Sequence, residues 1–290
     1  MAELGKGIGN MQKKSLGAAG LLMPATGLVL LFMGLPLIYL FRYSLNEYVP
    51  GEFMVQGLSL DNFRTFFSDP YYLHGMTTTL LMAGAVTLLC ILLGLPIANW
   101  IARQTGTLKT ILLMAIILPL FVSNAVRAAG WMVAFGQTGV LNYTLVKLGL
   151  ISQPLQIMQT PVAVFIGMAA VNLPYVVLTL QSVFEGLDEN IDYAAASLGA
   201  PPLQSFFLVR LPQIVPGILA ASILSFILAM NAYATPVLLG GPSFRMMAPM
   251  IVTEILNKAN WPFGAALAFI LLSTTVTISV LAALFIRRRY

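Results

Sequence analysis

Six apolar runs, each reaching or exceeding the roughly 20 residues a helix needs to cross bilayer hydrocarbon, limit what this chain can fold into. They lie at about Ala18 to Phe41, Thr77 to Ala102, Thr110 to Phe135, Pro161 to Gly186, Ile214 to Leu238 and Gly264 to Ile286. Open strands would leave backbone N–H and C=O groups unpaired in lipid, so each run is expected to be a transmembrane helix and the fold all-α. Only 9% of the 290 residues are charged, against about 25% in soluble domains, so most of the surface must face lipid or other helices. With no internal repeat or low-complexity linker, one membrane domain spanning 1–290 accounts for the chain.

Charge placement sets the expected orientation. The segment 1–17 is polar and carries Lys6, Lys13 and Lys14, and the run after it is too long for a signal-peptide core. A retained first helix with a cytoplasmic amino terminus follows. Nine Lys and Arg residues then fall inside, among them Arg103, Lys109, Arg210 and Arg287 to Arg289, against five outside. That bias fits six crossings with both termini cytoplasmic. Three outer loops, Arg42 to Met76, Gly136 to Thr160 and Leu239 to Pro262, exceed the length of a simple turn. The first is expected to form a partly folded cap or interfacial helix, the last a short helix returning toward the membrane.

Several function classes lack their parts. There is no G-x-x-x-x-G-K-[ST] loop to cradle a nucleotide, and the ten acidic residues lie almost entirely in loops. One cysteine, Cys90, and one histidine, His74, rule out disulfides within the chain and multi-histidine metal motifs. A membrane enzyme would need clustered His, Asp or Cys near an interface. A secondary transporter would carry ionisable residues in its spans for ion coupling, and this chain buries very few. Neither nucleic acid nor a metal is an expected partner; the basic residues sit at the ends of apolar runs, where orientation rules place them.

Between the fourth and fifth runs lies DYAAASLGAPPLQSFFLVRLPQIVPG, Asp192 to Gly217. Asp192 is expected to cap a short helix whose consecutive alanines permit close approach by another surface. Gly199 permits a left-handed turn, and Pro202 begins a second short helix. Leu203, Phe206 and Phe207 give it an apolar face, and Pro212 and Pro216 mark the return to the membrane. The alternatives are a docking surface and an ordinary loop with core-facing alanines.

This stretch resembles the E-A-A-x-x-L-G motif, with Leu-Pro downstream, of the permease subunits of binding-protein-dependent ABC importers. Ala194, Ala195, Leu198, Gly199, Leu211 and Pro212 match, while the family's glutamate falls on Tyr193, beside Asp192. LPLFVSNAVRAAGWMVAFGQTGVLN, Leu118 to Asn142, and NAYATPVLLGGPSFRMMAPMI, Asn231 to Ile251, are similar to segments of the polyamine and opine branch of these permeases. The resemblance implies a type I ABC importer permease fold in a bacterial inner membrane, with a cytoplasmic coupling helix in 187–213 between the fourth and fifth helices. It also implies a second, related permease, two ATPase subunits that bind ATP and Mg, a periplasmic binding protein, and no cofactor in this chain.

Arg127 is the one basic residue expected within a span, where an arginine costs at least about 2.5 kcal/mol on insertion scales. It either faces a ligand or gate, or makes a structural bond to helix carbonyls or Asn124. Asn124, Trp131, Asn172, Tyr175, Asn231, Tyr233 and Glu254 are the other residues that can line a polar path, each with a packing role as its alternative. A polyamine favours carboxylates and aromatic faces, whereas Arg127 favours an anionic solute such as an opine or organophosphonate. A channel or passive facilitator would conduct without any ATPase.

Overall fold

The computed structural model describes residues 2–188 and 190–287, except for the side chains of 2–22, 52–54, 191, 192, 194, 196, 202 and 285–287. In chain order it has α1 (Ala2–Ser44), a hairpin of β1 (Glu47–Val49) and β2 (Glu52–Val55), α2 (Asp61–Ser68), α3 (Pro70–Ala102) and α4 (Gly106–Ile117). Next come α5 (Asn124–Phe135), α6 (Val140–Lys147), α7 (Pro161–Glu185), α8 (Asn190–Ser197) and α9 (Pro202–Ser205). The chain then forms α10 (Leu211–Met230), α11 (Ala234–Gly240), α12 (Met247–Val252) and α13 (Trp261–Arg287).

The helices α3, α7 and α10 pack on one another and form the core. Lipid tails are as apolar as leucine, so association must come from close packing and interhelical polar bonds rather than from escape from water. Both are present. A Cβ at Gly94 of α3 would sit 2.8 Å from Val176 Cγ1, so only glycine admits this approach to α7. Buried Asn172 Nδ2 donates to the Ser225 carbonyl at 3.1 Å and ties α7 to α10. The outlying α1 packs chiefly on α13, and no part of its most apolar window is buried.

Among the described residues, five helices are long and apolar enough to cross a bilayer, and a sixth crossing arises if one bent pair counts as a span. The third span expected over Thr110 to Phe135 corresponds to this bent pair. After α4 a 3-10 turn, Leu118–Phe121, contains Pro119; Val122 is extended, and Ser123 Oγ accepts from Val126 N at 3.3 Å to start α5. The two arms, Gly106–Phe121 and Asn124–Lys147, meet at 98°. A proline without an N–H followed by a capping serine breaks the helix, although hydropathy runs through without interruption.

The fifth span differs too. It runs from Leu203 to Met230, so the second short helix is continuous with it, and it stops before Leu238. Pro212 does not mark a break because the preceding turn, Phe206–Arg210, is a π-turn whose wider ring closes from Leu211 N to the Phe206 carbonyl. Such a turn absorbs the missing proline N–H locally.

Two polar ends frame the bundle. At one, Lys109 pairs with Glu185, and Arg210 Nη1 donates to Asn99 Oδ1 at 3.0 Å. At the other, the hairpin and α2 make a folded cap: Asn62 Nδ2 donates to the Ser44 and Asn46 carbonyls at 2.8 and 2.9 Å, and Phe66 is buried. The last outer loop forms α12 and a π-turn, Thr253–Asn257, the short helix expected there.

Candidate functional site

A cavity of about 360 Å³ opens where the bent pair meets the end of α10. One break separates α4 from α5; the other, Asn231 to Tyr233, separates α10 from α11. Asn231 Nδ2 turns back onto the Ile227 carbonyl at 2.8 Å and caps the end of α10. The helix ends at Met230, and Ile227, Leu228 and Ala229 of its last turn line the space. Non-helical backbone at membrane depth is tolerated only where it is buried in protein or lines a cavity, and this break lines one.

Asn124, Asn172, Tyr175, Asn231 and Tyr233 all line this cavity, five of the eight polar-path residues singled out from the sequence. Thr235 joins them; its place just after the break was the signal available for it. The lining among the described residues carries amides, phenols and a hydroxyl, with no carboxylate and no ammonium.

Three path residues sit elsewhere. Arg127 is one turn along α5 from Asn124, and its Nη2 donates to Asn124 Oδ1. Its Nε and Nη1 are buried without a hydrogen-bond partner. Trp131 stacks against Phe135 with ring centroids 4.8 Å apart, in a packing position. Glu254 is buried at the capped end of the bundle, away from the cavity. There it accepts from Tyr72 Oη at 2.8 Å and from Lys258 Nζ at 2.7 Å. Tyr48 Oη in turn donates to the Lys258 carbonyl at 3.1 Å, which fastens the hairpin to this cluster. The bond to Glu254 holds the Lys258 ammonium above its ordinary pKa. The acid that the sequence offers for the path lies outside the cavity lining and pairs with Lys258.

At the opposite end lies the segment between α7 and α10. Gly199 has φ +78°, and the Leu198 and Ala200 N–H groups both return to the Ala195 carbonyl, closing α8 with a left-handed turn. The helix starts at Asn190, so Asp192 lies inside its first turn and not before it as the sequence suggested, and the Asn190 N–H donates to Asp188 Oδ1 at 2.9 Å. The Asp192 and Ala194 side chains lie outside the described residues. Ala195 is buried, whereas Tyr193, Leu198 and Leu203 are 69%, 89% and 73% exposed. Phe207 and Leu208 extend this apolar surface, and Leu208 was missed because a regular helical period does not foresee the π-turn. Phe206 and Leu211 turn inward against the core, and Pro212 is exposed.

A helical membrane bundle with a polar cavity between a bent span and the end of α10, and an exposed apolar segment at one end, has the form of a membrane permease. Residues 90–289 match the family described as binding-protein-dependent transport system inner membrane component, and the chain belongs to that family. It is a multi-pass inner-membrane permease subunit of an ABC importer, not an enzyme. The spermidine/putrescine transport system permease protein PotB of Escherichia coli is 33% identical over 264 residues, covering 91% of this chain and 93% of the relative. PotB of Haemophilus influenzae is 31% identical over 259 residues, 89% of each chain. A solved bacterial ABC transporter involved in the import of the acidic polysaccharide alginate shares the fold. Its TM-score is 0.76 at 18% identity, with 97% of this chain and 98% of that chain covered.

Proposed function

We propose that this chain is the subunit of an ATP-driven importer that forms half of the path for a polyamine. The observation that carries this reading is the cavity at the α10 break. Tyr175 and Tyr233 offer aromatic faces, Asn124, Asn172 and Asn231 offer amide oxygens, and the negative end of α10 lines the same space. A desolvated ammonium gains from each of these. The identity to the spermidine/putrescine permeases over nine-tenths of the chain supports the same solute class.

The rest of the assembly follows from the same reading. A single permease domain over 1–290, with both termini cytoplasmic, pairs with a second, related permease to complete the path. Two cytoplasmic subunits bind ATP and Mg, and a periplasmic binding protein delivers the solute. The exposed surface of Tyr193, Leu198, Leu203 and Phe207 docks on an ATPase subunit, and α8 with α9 transmits its closure to α10 by rigid-body movement. With Tyr193 in place of the family's glutamate, docking here rests on apolar shape.

Uptake of labelled spermidine and putrescine into proteoliposomes holding the full assembly tests the proposal. The expected result is uptake that needs both the binding protein and ATP. Flux without ATP, or failure of the chain to copurify with an ATPase subunit, would indicate a channel and sink the reading. A second reading rests on the two unpartnered nitrogens of Arg127, which suit an anionic solute such as an opine or organophosphonate. Competition of spermidine uptake by those compounds, and not by putrescine, would favour it.

A further inference from the structure

A second cleft, of about 340 Å³, lies beside the amino-terminal part of α3, apart from the Tyr175 cavity. One wall is polar, made by His74, Thr78, Gln159, Ser243 and Arg245. Leu81, Met82, Pro161 and Phe244 complete the lining, with Leu81 seven residues, about 10 Å, beyond His74 along the α3 axis. Arg245 is half-buried and lies over the Tyr71 ring with its guanidinium carbon 4.3 Å from the centroid. Among the described residues no carboxylate pairs with it; the carboxylate pairs there are Lys109 with Glu185 and Lys258 with Glu254. A half-buried guanidinium held on a ring and lacking an anion is a site for one. Gln159 is fixed beside it in a left-handed conformation, φ +61°, with its N–H donating to the Leu239 carbonyl at 2.9 Å.

Below the cleft, Leu81, Leu88 and Leu92 are 74%, 61% and 60% exposed and follow one another at helical spacing down α3. With 33 residues, α3 is about 50 Å long, against hydrocarbon about 30 Å thick, and its first turns, with Tyr71, Tyr72 and His74, precede its apolar run, so they fall among the headgroups. Tyr71 stands at that level, where aromatic side chains anchor helices. The cleft therefore carries a cation at headgroup depth, neutral hydrogen-bonding groups beside it, and an apolar rail running into the membrane.

We propose that this cleft is a binding site for an anionic phospholipid of the phosphatidylglycerol kind. Arg245 takes the phosphodiester, Gln159 and Ser243 take the glycerol hydroxyls, and an acyl chain lies along Leu81, Leu88 and Leu92. A free phosphate, or an acidic side chain of the binding protein, would satisfy Arg245 but would leave the apolar rail without a role.

The assembled transporter, taken from nanodiscs with equal phosphatidylglycerol and phosphatidylcholine and examined by native mass spectrometry, tests the site. Selective retention of phosphatidylglycerol is expected, falling about tenfold in Arg245→Gln and recovering to within about threefold of wild type in Arg245→Lys. Leu81→Gln leaves the polar wall intact and is expected to weaken retention about threefold, which keeps the test open if Arg245→Gln does not assemble. Equal retention in Arg245→Gln or, where that variant does not assemble, in Leu81→Gln would overturn the proposal. So would displacement of the lipid by millimolar inorganic phosphate, the mark of a free-anion site. Unchanged lipid retention with weakened capture of the binding protein would assign Arg245 to a protein partner and overturn it as well.

Discussion

Arg127 shows how one residue can be informative twice. Its charge in an apolar run marks it from the sequence, and the structure adds that Nε and Nη1 are buried without acceptors while Nη2 is committed to Asn124. Asn124 lines the cavity, so Arg127 is placed to orient that amide. Arg127→Ala is expected to lower uptake about tenfold or more, the scale of a lost charged hydrogen bond, while membrane abundance changes less than twofold. Uptake and immunoblot of the same membranes check this. The tyrosines carry a separate expectation. If a polyamine ammonium lies on Tyr175 or Tyr233, each Tyr→Leu variant loses about 0.5–2 kcal/mol, raising the half-saturating spermidine concentration about two- to thirtyfold. Initial rates across a spermidine series would show it, and an unchanged value in both variants would remove the cation site.

At the scale of elements, the breaks decide more than the helices. Six apolar runs stand out in the sequence, yet the kink at Val122, the break at Asn231 and the π-turn at Phe206–Arg210 are what shape the cavity and join α9 to α10. Gly199 is the one joint foreseen in residue terms. Its left-handed φ of +78° with no atom within 4 Å of an added Cβ means that Gly199→Val is strained by backbone conformation and not by crowding. About 1–2 kcal/mol of local strain is expected to loosen the turn, leaving ATP hydrolysis running without matching uptake. Parallel ATPase and uptake assays in proteoliposomes measure that ratio. Lys109 and Glu185 join α4 to α7 at the same end. Lys109→Glu is expected to destabilise by under about 1 kcal/mol, because the pair is partly exposed, and the double swap Lys109→Glu with Glu185→Lys should restore the wild-type melting temperature.

For the whole molecule, the two polar ends have different chemistry. The capped end depends on Glu254 holding Tyr72 and Lys258. A lysine held above its ordinary pKa of 10.5 adds stability in full below that value and loses it as pH climbs through the higher folded value. The purified assembly is therefore expected to lose thermal stability as pH rises above 10.5, and Lys258→Met is expected to flatten that part of the profile. Melting curves across alkaline pH compare the two. The other end carries the Lys109–Glu185 pair, Arg210 on Asn99 and the exposed Leu198 and Leu203.

The sequence by itself determined that this chain is a helical membrane protein, roughly where its spans lie, and which loop carries the Ala-Ala-x-x-Leu-Gly pattern. Those features depend on run length, hydropathy and small-residue spacing, which are local along the chain. It also picked out the amides and tyrosines of the cavity, because polar groups are rare enough in apolar runs to be noticed one at a time. Only the tertiary structure decided that five of them share one space, that Glu254 belongs to a distant counter-ion cluster and that Trp131 packs on Phe135. Which groups meet depends on helix rotation, on breaks imposed by Pro119 and Asn231, and on approach distances such as that at Gly94. None of these leaves a periodic trace in the order of residues.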